Sequence, residues 1–191
     1  MIAGVCVAVL LSAVALAEFG RRERGLGFAL MLTGRWAFLL FWVAYAGGGA
    51  AALLGGKFAF LKRHRREFGL AFAAAMLVHV ALIVWLCAIG AAPGIGTFVF
   101  FGVGLLCIYT LALFSLADLQ RRLGRRTWWV LRTVAMNYIA YAFATDFLSD
   151  AFGGGIAHIV LYAPFAVLSL LGFAAYASAQ MLSTRKALMT T

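Results

Sequence analysis

Charged residues are scarce in this sequence, and no stretch of it is long and polar enough to fold as a separate water-soluble unit. Only 12% of its 191 residues are Asp, Glu, Lys or Arg, 65% are hydrophobic, and the mean hydropathy is +1.01. That balance excludes an ordinary soluble domain and places the chain among integral membrane proteins. The longest connection without apolar character runs from Gly56 to Glu67. It leaves no room for a FAD- or NAD-binding domain, so any flavin or nucleotide chemistry must come from another polypeptide.

Other absences narrow the class further. No ten-residue segments alternate polar with apolar side chains, which excludes a transmembrane barrel. Cys6, Cys87 and Cys107 all fall inside apolar runs, with neither a C-x-x-C pair nor metal-ligand spacing, and read as small buried hydrophobes. What is present is a series of six apolar runs, at about 2–17, 36–54, 68–90, 97–116, 128–148 and 156–181. Each can cross a hydrocarbon core roughly 30 Å thick as a helix. The expected fold is therefore all-α: one transmembrane domain over residues 1–191, built as a six-helix bundle. Ala15 and Ala17 in the first run have the spacing of a signal-peptide cleavage site, but the basic segment that precedes such a site is missing. The run is read as a retained span.

The basic residues fix an orientation. Lys57, Lys62, Arg63, Arg65 and Arg66, then Arg121, Arg122, Arg125 and Arg126, then Arg185 and Lys186 fall on one side of a six-span chain. Arg21, Arg22 and Arg24 fall on the other, with Arg35 at the edge of the second span. Positive residues mark the cytoplasmic face, so both termini are expected there, in a bacterial-type inner membrane. The net charge of +10 is carried by these short juxtamembrane clusters. They suit the lipid bilayer's anionic headgroups or an acidic soluble partner rather than nucleic acid.

Ionisable groups at membrane depth are costly and mark functional positions. His79 lies close to the middle of the third run. Arg35, Asp146 and His158 fall near the outer ends of their spans, where they either form a charge-paired cluster or reach the interface singly. Arg132, one helical turn after Trp128 and Trp129, reads as an interface anchor. Asn137 and Tyr138 are candidates to hydrogen-bond a neutral His79. The glycines of Gly47–Gly56 thin the second span, so a neighbouring helix or a flat cofactor can approach its backbone.

Three segments, "TGRWAFLLF" from Thr33, "RREFGLAFAAAMLVHVAL" from Arg65 and "LADLQRRLGRRTWWVLRTVAMNYIAYAFATDFL" from Leu116, together resemble the ferric reductase-like transmembrane domain family. Within it they are most similar to the haem-bearing membrane subunits of bacterial methionine sulfoxide reductase systems. The resemblance implies a six-helix bundle that holds b-type haem between its third and fifth spans and passes electrons across the membrane. It assigns His79 as an axial ligand of the haem iron; Arg35, Arg132 or both would then lie near the propionates, because guanidinium pairs well with carboxylates. The two further histidines of the family pattern fall on Arg132 and Thr145. His158 is the remaining imidazole in a span, nominally ~15 Å from His79 in depth if both helices stand upright, and His64 reads as a solvated loop residue.

The sequence leaves several readings open. One is an oxidoreductase component without its own flavin or nucleotide domain, which takes electrons from quinol or from a flavoprotein docked on the basic loops. Another is a haem-free accessory or scaffold subunit of a larger membrane complex, and a variant of either places a quinone in the old haem pocket. A proton conduit through His79, Asp146 and His158 is a further reading, weakened by the unequal depths of the three residues and by the absence of an internal repeat.

Overall fold

A computed structural model describes residues 1–55, 58–117, 119, 122–149 and 155–189. Among the described residues there are seven α-helices: α1 (Ile2–Phe19), α2 (Glu23–Leu54), α3 (Ala59–Arg63), α4 (Arg65–Ala88), α5 (Ile95–Leu116), α6 (Arg125–Ser149) and α7 (Ile156–Met189). No strand occurs among the described residues. Within α1, α2, α4, α5 and α7 lie five segments long and apolar enough to cross a membrane. The expected run 128–148 does form a helix, α6, but Arg132, Asn137 and Asp146 interrupt its apolar character and it is not among those five. Lys57 and Arg121 of the basic clusters lie outside the described residues.

The largest departure from expectation is at the start of α2. The chain turns after Gly20, at φ +83°, and α2 begins at Glu23, well before the expected position 36. The turn is so tight that a Cβ on Gly25 would collide with the Gly20 carbonyl. Arg35 is therefore inside a long helix rather than at its edge. The connection expected over Gly56–Glu67 is likewise mostly helical: α3 and α4 meet at His64, whose ring folds back on Phe60 with Nδ1 3.1 Å from the Phe60 carbonyl. Cys6 faces outward and Cys87 and Cys107 are half-buried, so the cysteines are not the wholly buried fillers expected from their apolar surroundings.

Helix α2 is the hub, packing against α1, α3, α4, α6 and α7, whereas α5, among the described residues, packs against α4 and α6 alone. The hub position follows from three consecutive glycines. Successive helical residues point about 100° apart, so Gly47, Gly48 and Gly49 face three different neighbours. A Cβ on Gly47 would lie 3.2 Å from Leu61 of α3, one on Gly48 2.7 Å from the Arg65 guanidinium of α4, and one on Gly49 would overlap the Ala175 carbonyl of α7. The glycines thus admit neighbouring helices, on three sides.

Side chains of α2 then pin the neighbours. Trp36 Nε1 donates to the Gly4 carbonyl of α1 at 2.9 Å, Trp42 Nε1 to Leu168 of α7 at 2.7 Å, and the Tyr45 hydroxyl to Asn137 Oδ1 of α6 at 2.8 Å. Lipid tails give helices no hydrophobic reason to associate, so small residues and hydrogen bonds of this kind are what hold such bundles together. Between the pins lies an aromatic core of Phe38, Phe41 and Tyr45 with Phe72, Phe143 and Phe147. The edge-on pair Phe38–Phe147 and the stacked pair Tyr45–Tyr176 have centroids 4.9 and 4.6 Å apart.

Gly49→Ala is expected to destabilise the fold by about 1–3 kcal/mol, because a backbone carbonyl cannot rotate out of the way of the new methyl group. Gly96→Ala, in open space on α5, is expected to be neutral or to stabilise by up to about 1 kcal/mol. Thermal unfolding of the two variants in detergent checks the contrast.

Candidate functional site

The site is built around the contact between α2 and α4. Thr33 is fully buried on α2, and its Oγ1 lies 2.8 Å from the Ala29 carbonyl and 2.9 Å from His79 Nδ1. A carbonyl only accepts and a hydroxyl has one proton to give. Both contacts are hydrogen bonds only if Thr33 donates to Ala29 and His79 donates from Nδ1 to Thr33. In a neutral imidazole that arrangement leaves Nε2 as a lone pair. Gly34 lets the imidazole lie against the helix, since a Cβ there would be 3.4 Å from His79 Cε1.

His79 lines a cavity of about 520 Å³ bounded by α2, α4, α5, α6 and the start of α7. Its walls are mostly apolar, with Met31, Met76, Ile83, Phe101 and Phe143 among them. Four further polar side chains share the lining: Arg35, Thr97, Asp146 and Tyr162. Arg35 is only 7% exposed. Its guanidinium carbon lies 4.8 Å from the centroid of the Tyr162 ring and 5.3 Å from that of Phe165, and cation–π attraction of this kind is strongest out of water. None of its three nitrogens meets the geometry of a hydrogen bond.

Of the residues singled out in the sequence, His79, Arg35 and Asp146 come together around one cavity. His158 is not a lining residue; its ring stacks on Tyr162 at 4.2 Å, nearly parallel. Arg132 is exposed and borders a different cavity, of about 430 Å³, with Lys62, Arg63, Arg65 and Arg66. Ile108 and Ile139 line both cavities and form the partition between them. Thr145 spends its hydroxyl on the Ala142 carbonyl at 2.9 Å.

The expected partners of His79 are engaged elsewhere. Asn137 accepts from Tyr45 and donates to the Thr133 carbonyl at 2.8 Å, and the Tyr138 hydroxyl donates to Phe100 at 2.9 Å. Thr33 takes the role they were expected to play. It stands at the head of the "TGRWAFLLF" segment, and a lone hydroxyl two residues before an intramembrane arginine is the signal that could have found it. Tyr162, the ring over which Arg35 settles, carries no comparable mark in the sequence.

The chemistry available is that of an oriented neutral imidazole and a buried cation facing one apolar space: a Lewis base for a metal centre and a counter-charge for a carboxylate. No group of three or more His, Cys, Asp or Glu side chains able to hold a metal ion by themselves occurs among the described residues. Comparisons with protein-family models, with curated proteins and with solved structures found no match to this chain.

Thr33→Val, which keeps the shape but removes the acceptor for Nδ1–H, is expected to cost about 1–3 kcal/mol through an unsatisfied buried donor, whereas Thr33→Ser retains the bond and most of the stability. Chemical denaturation of both variants in mixed micelles measures the difference.

Proposed function

We propose that this chain is a ferric reductase-like electron-transfer subunit of a bacterial-type inner membrane, with α6 as a sixth span and both termini cytoplasmic, holding one b-type haem through His79. The observation that carries this reading is the 2.9 Å contact of His79 Nδ1 with the buried Thr33 Oγ1, on a residue that lines an apolar cavity: with Nδ1–H donated to the hydroxyl, Nε2 is left for a metal. Metal-bound histidines characteristically donate their other ring nitrogen to a fixed acceptor, which orients the ring and raises its basicity. The buried, unbonded guanidinium of Arg35 is the second point of fit, because it supplies the charge that a propionate would otherwise lack. Haem, when bound, supplies a one-electron carrier between the two membrane faces.

The chain's own residues define the rest. His79 is the one imidazole lining this cavity, and Arg132 and Thr145, at the positions of the family's other histidines, border another cavity and bond the backbone. Haem, if bound, would be held by one imidazole, that of His79. The apolar walls would keep water from a bound metal, and the exposed Arg122, Arg125 and Arg126 form a landing surface for an acidic flavoprotein, with quinol as the alternative electron source. The missing second imidazole favours a second reading, a haem-free accessory subunit that keeps the fold and leaves the cavity to quinone or another apolar molecule.

Protein purified from haem-replete cells is expected to show a Soret band and dithionite-reducible α bands that disappear in His79→Ala. Haem affinity in Thr33→Val is expected to fall roughly 10- to 100-fold, the usual effect of removing such a supporting hydrogen bond. Wild-type protein without haem absorbance overturns the electron-transfer reading in favour of the accessory subunit.

A further inference from the structure

The 430 Å³ cavity opens at the end of the bundle where α4 and α6 begin and α5 ends, and it combines two features that point to one class of ligand. Its inner wall is apolar, with Phe72, Ile108, Leu111 and Met136 among the lining residues, and its rim carries Lys62, Arg63, Arg65, Arg66 and Arg132. Among the described residues, no Asp or Glu lines it. The five cations are not equivalent. Arg65 donates to the Ala44 and Tyr45 carbonyls at 2.8 and 3.2 Å, a position open to it because residue 48 has no side chain. Arg66 donates to the hydroxyl and carbonyl of Ser115 on α5.

Lys62, Arg63 and Arg132 make no hydrogen bond or ion pair among the described residues. Arg132 also repels the fixed charge of Arg65. Converging like charges at the mouth of an apolar cavity are unfavourable until an anion joins them. An inorganic ion satisfies the rim and leaves the inner wall without a partner, and a neutral lipid does the reverse. We infer that this cavity binds a phosphate-headed anionic lipid, its headgroup among Lys62, Arg63 and Arg132 and an acyl chain against the Phe72, Leu111 and Met136 wall. Basic pockets between spans are the usual seats of such headgroups. The lipid would bridge α4, α5 and α6, reinforcing the Arg66–Ser115 bonds where α5 has few other neighbours.

The test is native mass spectrometry of the full chain released from nanodiscs of equal phosphatidylglycerol and phosphatidylcholine. Wild type is expected to retain phosphatidylglycerol selectively. The triple variant K62Q/R63Q/R132Q is expected to retain it roughly 100-fold more weakly, at about fivefold per cation, and R63Q alone roughly fivefold more weakly. The charge-matched control R122Q/R125Q/R126Q, whose residues do not line the cavity, is expected to behave as wild type. Equal retention of the two lipids, or equal loss in the triple variant and the control, overturns the site. Inorganic phosphate that binds delipidated protein and displaces phosphatidylglycerol shows that the rim serves a soluble anion instead. Should the triple variant lose helix content, the single variant R63Q carries the comparison with the control.

Discussion

The close approach of neighbouring backbones to α2 is the constraint on which everything else in this bundle rests. In a membrane the hydrophobic effect does not press helices together, because lipid is as apolar as leucine. Helix contact must come from surfaces thin enough to meet and from polar groups that prefer each other to hydrocarbon. Helix α2 supplies both: glycines at 47, 48 and 49 for three neighbours, and Trp36, Trp42 and Tyr45 as hydrogen-bond donors to α1, α7 and α6. The His79 contact belongs to the same scheme, with Gly34 thinning the helix and Thr33 bonding across it. The candidate site is therefore an elaboration of a packing contact.

The two cavities divide the bundle between them. One is apolar with a single buried cation; the other has an apolar wall under a rim of five cations, and Ile108 and Ile139 are all that they share. Arg35 and Arg132, both candidates for propionate partners, lie in different cavities on opposite sides of this partition. Their burial differs accordingly: Arg35 is shielded by aromatic rings, and Arg132 is exposed.

Much of this architecture is legible in the sequence because hydrophobic length is a strong signal. All six apolar runs emerge as helices, and five meet the length and apolarity needed to cross a membrane. Their starts and stops were less legible. Polar residues such as Glu23 and Arg24 suggest a loop by composition, yet they lie within α2, because the Gly20 turn consumes so little chain. Within the site, His79, Arg35 and Asp146 announced themselves as ionisable groups in apolar surroundings. Thr33 and Tyr162 did not, since a hydroxyl and a phenol are unremarkable in a span until the neighbouring helix is in place. The same limit explains Asn137, whose plausible reach toward His79 was pre-empted by Tyr45.

The bond between Thr33 and His79 has a direction as well as a length. Read from the imidazole outward, each donor hands its hydrogen to the next acceptor, from Nδ1 to the hydroxyl and from the hydroxyl to the Ala29 carbonyl. A backbone carbonyl has no hydrogen to pass on, so the sequence of donors stops there. A proton reaching His79 would find no onward path on that side of the ring. The geometry that leaves Nε2 free thus closes Nδ1 as an exit.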